Sequence, residues 1–565
     1  MTDIEKPAPQ APDQDAPASP ERRRLLESIA LAGAAIAVGG CATVAPPRGG
    51  APAHAATGAA IDKALRARVG HVIVIYCENR SFNNLFAGFP GLEHPLSALP
   101  PERCLQRDRN GTLLAKLPPV WRGVVPHKQV LDGQTYQIGE EAFKDLANAP
   151  WILRTPDGKP LPHALVTRDL IHAFYRNQLQ INGGRNDGFV AWGNSGALTM
   201  ARYADATDNF KLWQLAREFT LCDNFFMGAF GGSFLNHQYL VAAQPPTYPD
   251  ADHSPAAHRI AVLEDGPEGI HPKLAKDSPA SAMQGETKFA APTSLTPDFH
   301  AVNTFGPPYS PGFSVDPHNP LLADASKADT LPPQTHQTIG DTLSARGVDW
   351  AWYGGGWQMA LDGKGTHGIS DVFPVSPNFQ AHHQPLNYFR QFAPGTVARA
   401  RHLRDGGTGN TAATNRLLAD IEAGRLPAVT FYKPQGNLNM HAGYSDIAAG
   451  DAHVARIIAA LRASPIWRDT VVIVTVDENG GWWDHVASPK ADRWGPGTRI
   501  PAVVLSPFAK HGHVEHAVHD TGSIQRFLNR RFELAPLPGI VLRDAAMRRH
   551  NGFAPGDLTG ALDLA

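Results

Sequence analysis

Cysteine is nearly absent from this chain: there are four in 565 residues, at Cys41, Cys77, Cys104 and Cys222. So few thiols in so long a chain exclude a disulfide-stapled fold. If Cys41 is removed or modified, one internal bridge is the most that can form, and Cys104 with Cys222 is the expected pair. A surplus of one charge is missing too. Lys and Arg number 51 against 53 Asp and Glu, and no basic run occurs beyond the N-terminal region. A general nucleic-acid surface is therefore excluded. Long apolar runs are also lacking. The mildly apolar stretch Ile29 to Gly40 is shorter than the roughly 20 residues that cross a bilayer, so no transmembrane anchor is expected. No internal repeats are visible. The 42% hydrophobic and 18% charged residues are an ordinary globular composition. Histidine is plentiful at 25 residues, which points to metal ligation and to groups that titrate near neutrality.

Residues 1–41 read as an export signal: a charged region, an apolar region, then small residues. Arg22, Arg23 and Arg24 before Leu25-Leu26 resemble a twin-arginine signal, which implies the twin-arginine export machinery as a partner. Val38-Gly-Gly-Cys41 resembles a lipoprotein cleavage box. The alternative is a chance match in a run of small residues. Lipid on Cys41 would be the one membrane attachment, and the expected location is periplasmic, outer-membrane lipoprotein or secreted. An Ala/Pro/Gly-rich linker covers 42–65.

The remainder alternates short apolar strands with helix-like stretches. Strands are expected at His71–Cys77, Val348–Tyr353, Ala428–Tyr432, Thr470–Val476 and Ile500–Leu505. Helices are expected at Thr335–Arg346, Asn415–Ala423, Ala448–Ala463 and Ser523–Phe532. This alternation predicts an α/β layer fold with a mainly parallel sheet buried on both faces. A single catalytic domain over 66–540 follows, with a Pro/Ala/Asp/His-rich insertion or cap at about 245–333. Residues 541–565 read as a C-terminal tail.

Two strand ends carry unusual polarity. Val471-Val-Ile-Val-Thr-Val476 runs into Asp477-Glu-Asn-Gly-Gly481, and the first strand runs into Glu78-Asn-Arg-Ser-Phe82. In open α/β sheets, ligands gather outside the carboxyl ends of strands. If the two tips meet, Glu78, Asn79, Asp477 and Glu478 converge, and three carboxylates without a cation repel and raise one another's pKa. A divalent metal removes that conflict; separate solvated turns are the alternative. Oxygen ligands suit Ca, Mg or Mn, and nearby imidazoles leave Zn or Fe open. A third segment, Gly231-Gly-Ser-Phe-Leu-Asn-His237, places Ser233 before a helix-like run. There a serine is either a helix N-cap or a nucleophile.

These three motifs, with Asp169-Leu-Ile-His172, Asn182-Gly-Gly-Arg-Asn-Asp187, His382-His383-Gln-Pro and Lys433-Pro-Gln-Gly-Asn-Leu-Asn-Met-His441, resemble the bacterial phosphoesterase family. That family contains acid phosphatases and phosphatidylcholine-type phospholipases C, within the alkaline-phosphatase superfamily. The resemblance runs from about residue 68 to about residue 535. It implies an alkaline-phosphatase-like three-layer α/β/α fold and one divalent metal ion ligated by Glu78, Asn79, Asp477, Glu478 and Ser233. Ser233 is implied to be the nucleophile as well, forming a phosphoserine, with His172, His382, His383 and His441 around the phosphoryl group. His441 or His383 is the expected proton donor to the leaving group. Protonated histidines clamping phosphate would give an acid optimum.

Asp484 and His485 would orient a ligand, and Arg80 would brace its loop by a salt bridge. The phospholipase branch typically carries threonine in a Gly-Pro-Thr context, so Gly231-Gly232-Ser233 resembles the acid-phosphatase branch. The expected activity is thus an acid-phosphatase-type phosphomonoesterase acting on small phosphate esters. The alternative is a phospholipase C or phosphodiesterase acting on phosphorylcholine-type lipids. A non-catalytic metal- or phosphate-binding envelope protein is disfavoured by the intact serine and acids. A sulfatase is disfavoured because no maturation signature is present. Phe230, Phe234, Trp352, Tyr353, Trp357 and Trp482 are either pocket or core, and core is expected for most.

Overall fold

The β-branched and aromatic residues of the apolar runs build one sheet. The computed structural model describes residues 58–564 apart from 126, 206–209, 364–365 and 368–377. The export signal with Cys41, and most of the linker, lie outside the described residues. Eight strands form the central sheet: β1 (His71–Cys77), β2 (Thr220–Cys222), β3 (Trp350–Gly355), β4 (Leu403–Gly407), β5 (Val429–Lys433), β6 (Thr470–Val476), β7 (Ala502–Leu505) and β8 (His513–Glu515). Their order across the sheet is β4-β3-β5-β1-β6-β7-β2-β8, and β7 alone runs antiparallel to its neighbours. Strands β1, β5 and β6 are buried almost throughout. This explains why they read as continuous apolar runs and not as alternating ones. Each fully buried Val or Ile there stabilises the fold by roughly 1.5–3 kcal/mol relative to exposure.

Helices cover both faces. On one side α2 (Ile447–Ala463) packs on the helices Arg416–Glu422 and Lys211–Glu218. On the other, α1 (Ser233–Ala242) packs on α3 (Gly522–Phe532) and on Ile339–Ala345. Asp446 caps α2 by accepting from the Ala449 N–H, a contact of the kind whose loss costs about 1 kcal/mol. Among the described residues no helix is long and apolar enough to cross a membrane.

The expected strands and helices are present with ends shifted by a few residues. The exceptions are instructive. β2, β4 and β8 were not expected. β4 and β8 are the sheet edges, where polar and Gly residues such as those of Leu-Arg-Asp-Gly-Gly blunt further pairing. β2 spans three residues, too few for periodicity to register. The expected Cys104–Cys222 bridge does not form: Cys77, Cys104 and Cys222 are free thiols, each packed into the apolar core.

The expected C-terminal tail is instead part of the fold. Residues Pro538–Asn551 form α4, started by Pro538 and ended by Gly552 in the left-handed region. Arg543 enters the interior, pairing with Asp492 at 2.6 Å and Asp520 at 3.1 Å and donating to the Gly228 carbonyl at 2.9 Å. The final residues return to the sheet region through a bridge between Ala509 and Leu562. Ionic anchoring leaves no apolar stripe, so the sequence pattern did not announce this helix. Replacing Arg543 by Met is expected to lower the unfolding free energy by about 3 kcal/mol, because buried Asp520 is left with Arg526 alone and half-buried Asp492 loses its guanidinium. A denaturant melt of the variant beside the parent protein checks this.

Candidate active site

The register of two strands sets the site. β1 and β6 pair in parallel from His71 opposite Thr470 to Cys77 opposite Val476, so Glu78 and Asp477 leave the sheet at the same level. The Asp477 N–H extends the ladder to the Cys77 carbonyl at 3.1 Å. Glycines then let the loops close. A Cβ on Gly480, whose φ is +59°, would lie 2.5 Å from the Asn79 carbonyl oxygen, and one on Gly481, at +74°, would lie 2.6 Å from that of Ile171.

Three buried carboxylates meet here, and each has one oxygen tied down and the other turned inward. Glu78 Oε1 lies 2.6 Å from Lys433 Nζ and 2.7 Å from His383 Nε2, while Oε2 is 3.1 Å from Ser233 Oγ. Asp477 Oδ1 accepts from the Asn79 and Glu478 N–H groups at 3.1 and 2.9 Å, while Oδ2 is buried with no hydrogen-bond partner. Glu478 Oε2 accepts from the Gly480 N–H at 2.5 Å, while Oε1 is 3.3 Å from Ser233 Oγ.

This arrangement fits a divalent cation. An orphaned carboxylate oxygen beside two others, all three carboxylates contributing atoms within 4.8 Å of one another, is a hard-oxygen donor set of the kind Ca, Mg and Mn take, with imidazoles at its margin. Asn79 is the implied ligand whose oxygen is engaged elsewhere. It accepts from the Ala442 N–H at 3.4 Å, and Nδ2 is the unpartnered end.

The charges respond to this crowding. Burial, then the Glu78 charge, push the Asp477 carboxyl up to about 7. Burial drives Glu478 well above the usual carboxylate range, with Asp477 adding to it and His172 opposing. Burial works the same way on Glu78, but Lys433 and then His383 outweigh it and hold that carboxyl well below the range.

Ser233 is not a cap. Gly232 is the N-cap of α1 and Ser233 its first residue, with its hydroxyl aimed at the carboxylates. The dipole of α1 favours an anion at this point. Gly232 is required here: a Cβ would lie 2.6 Å from the His172 carbonyl and 3.0 Å from His172 Cδ2.

Histidines complete the wall. His172 Nδ1 is 2.6 Å from the Leu170 carbonyl, and His441 Nδ1 contacts the Ala442 carbonyl. Donation through Nδ1 leaves Nε2 of each facing the acids, 3.7 Å from Glu478 and 4.0 Å from Glu78 respectively. His382 is buried, and neither ring nitrogen has a partner. Burial works to lower His172, yet Glu478 and Asp169 outweigh it and lift it to about 9. Burial instead depresses His382, His441 and His383, the last to about 4. Three of the four expected histidines, His172, His382 and His441, share a cavity with Ser233; of the four, His172 is the one whose surroundings favour the charged form.

His383, expected as a possible proton donor, is turned onto Glu78 and does not line the cavity. That cavity, about 480 Å³, is lined by the polar residues Ser233, His172, His382, His441 and Gln380 and by the apolar residues Leu170, Ile171, Phe234, Val302 and Phe313, among others. The insertion thus contributes Val302 and Phe313. Of the singled-out aromatics only Phe234 lines this space. Trp352, Tyr353, Trp357 and Trp482 are core, and Phe230 packs at the core margin.

Other expectations shift. Asp484 pairs with Arg499 at 2.9 Å and His485 bonds Asn83 and the His94 carbonyl; neither orients an acid of the site. Arg80 braces its loop through two bonds to the Met440 carbonyl and by stacking on Trp482, not by a salt bridge. Three site residues were not singled out from the sequence: Lys433, His237 and Asp169. A lysine ending the fully buried β5 was the available signal for the first. His237, fully buried, has Nδ1 2.7 Å from the Ser233 carbonyl.

Residues 69–535, most of the chain, match the Phosphoesterase family. The chain belongs to this family. Within it, the non-hemolytic phospholipase C of Pseudomonas aeruginosa is 29% identical over 266 residues, covering 41% of this chain and 33% of that protein. Phospholipase C B of Mycobacterium tuberculosis is 27% identical over 173 residues, covering 26% and 31%. The matched stretches therefore span about a third of these relatives' length. A solved protein of the alkaline phosphatase superfamily from Vibrio parahaemolyticus is 12% identical and covers 60% of this chain and 64% of that one, at a TM-score of 0.29. A likeness that low carries no argument about this Phosphoesterase-family chain.

Two outcomes follow from the geometry. Gly232→Ala is expected to push the start of α1 away from the His172 carbonyl, lowering turnover of a phosphate ester by about 100-fold and the melting temperature with it, as read by parallel activity and calorimetry. The second concerns metal-free protein between pH 7 and 9. There His172 binds a proton more tightly folded than unfolded, so stability present below 6.5 is lost as pH rises through its folded value of about 9. The raised Glu478 acts in the same direction. Melting temperature is expected to fall across that window after chelation, and less so in His172→Gln.

Proposed function

We propose that this protein hydrolyses phosphoric esters by moving the phosphoryl group through Ser233, with phospholipase C-type diesters as its substrates. The observation that carries the reading is the clustering of three buried carboxylates, two of them with an oxygen within 3.3 Å of one serine hydroxyl, at a helix N-terminus that opens into a cavity. A cavity of about 480 Å³ lies in the usual range for small-molecule sites. Its mixed polar and apolar lining suits a ligand with an anionic phosphate and a greasier remainder.

Ser233 Oγ has proton acceptors at Glu78 Oε2 and Glu478 Oε1. Its attack on phosphorus forms the Ser–O–P bond and breaks the P–O bond to the leaving alcohol. The leaving oxygen takes a proton from the cavity side, where protonated His172 presents Nε2–H. Backbone N–H groups at the start of α1 and the ring N–H of His382 receive the phosphoryl oxygens. Water then cleaves the phosphoserine. A divalent cation held by Glu78, Asp477 and Glu478 supplies, when bound, positive charge that favours an ionised serine oxygen and offsets the phosphoryl charge.

The named relatives are phospholipases C, which favours a diester over the monoester expected from Gly231-Gly232-Ser233. The monoesterase reading rests on that motif alone. Ser233→Ala is expected to leave the fold intact and cut turnover by at least about 1,000-fold. Near-normal turnover would remove the nucleophile assignment. An aryl phosphate, a phosphorylcholine ester and a lecithin dispersion are then assayed side by side. Faster turnover of the two diesters supports the phospholipase C reading, and exclusive turnover of the aryl phosphate overturns it.

A further inference from the structure

Lys433 has no part in the chemistry described so far, although it is fully buried at the centre of the site. It ends β5 beside β1, with Nζ 2.6 Å from Glu78 Oε1, 3.2 Å from the Cys77 carbonyl oxygen and 5.4 Å from the centre of the Tyr76 ring. Two groups of side chains there have metal-ligand spacing, and they share Glu78. One is the oxygen group, Glu78, Asp477 and Glu478. The other is richer in nitrogen: Glu78, His237 and His383, all buried.

The two oxygens of Glu78 divide between these groups. Oε2 faces Ser233 and the oxygen group, whereas Oε1 is the one that His383 Nε2 approaches to 2.7 Å. His237 Nε2 is buried in this second group without a hydrogen-bond partner, and the His237 and His383 rings stack with centroids 5.4 Å apart. Such a donor set, one carboxylate and two imidazoles, is the kind that holds zinc. The lysine ammonium sits on the same oxygen that an ion in this group would need.

We infer that Lys433 takes the place of a second metal ion, so that its fixed positive charge limits the centre to a single cation in the oxygen group. An ion bonded to Glu78 Oε1 at about 2.0–2.2 Å would meet the ammonium on the same carboxylate oxygen, with like charges a few ångströms apart inside a low-dielectric interior. The charge also explains why Glu78 can act as a bridge: one oxygen is neutralised permanently and the other is left for the cation and the serine. This inference rests on the metal-dependent reading above and specifies the number of ions it involves.

Metal per chain decides it. Chelated full-length protein is dialysed against zinc chloride and analysed by atomic emission. The wild type is expected to hold about one equivalent, Lys433→Gln about two, and Lys433→Gln with His383→Ala about one again. Because loss of the lysine leaves Glu78 without its partner, the same proteins are melted with and without zinc. Zinc is expected to raise the melting temperature of Lys433→Gln more than that of the wild type, and to lose this extra effect in the double variant. One equivalent in both the wild type and Lys433→Gln overturns the inference and leaves the metal-dependent reading standing. No metal in the wild type, whether dialysed against zinc or against calcium, magnesium or manganese, sinks both. Two equivalents in the wild type, or a Lys433→Gln chain that stays unfolded with zinc present, also overturns the inference, since a cation in that place should satisfy Glu78.

Discussion

Like charges cannot be buried together unless something answers them, and that constraint organises this protein. Glu78, Asp477 and Glu478 have no solvent exposure, yet they arrive side by side because β1 and β6 are paired in register. Three responses are visible. Backbone N–H groups and Lys433 tie one oxygen of each acid. Proton affinity rises where burial outweighs the nearby positive charge, at Asp477 and Glu478. The remaining oxygens point to a common place, where positive charge would relieve all three. The serine hydroxyl lies in that same place, so the electrostatic conflict and the chemistry share one location.

How much of this was legible in the sequence depends on the physical signal each part carries. Buried strands announce themselves through runs of Val and Ile, and β1 and β6 were placed to the residue. The acids at their tips were conspicuous because a strand core rarely ends in paired charge. Short and edge strands left no such trace. α4 was hidden for a related reason, since it is held by Arg543 and not by an apolar stripe. Protonation was the least legible property. Three of the four expected histidines share the serine's cavity and His383 lies behind it on Glu78, and their charge depends on burial and neighbours, which put His172 and His383 on opposite sides of neutrality. Lys433 was on the page as the first residue of a recognised motif, and only its contact with Glu78 revealed that it belonged to the site.

The glycines show how a sequence rule becomes geometry. Gly232, Gly480 and Gly481 each stand where a single added carbon would strike a backbone carbonyl of another segment. Through them the loop carrying His172, the tip of β6 and the start of α1 come within hydrogen-bonding range. Close approach at these points, more than any single side chain, decides whether the cavity has a reactive floor.

The grip of Arg543 on the Gly228 carbonyl ties the segment that leads into Ser233 to a helix 315 residues further along the chain. The start of α1 is therefore braced from outside the sheet. Loosening α4 would slacken the serine while the strands stayed paired.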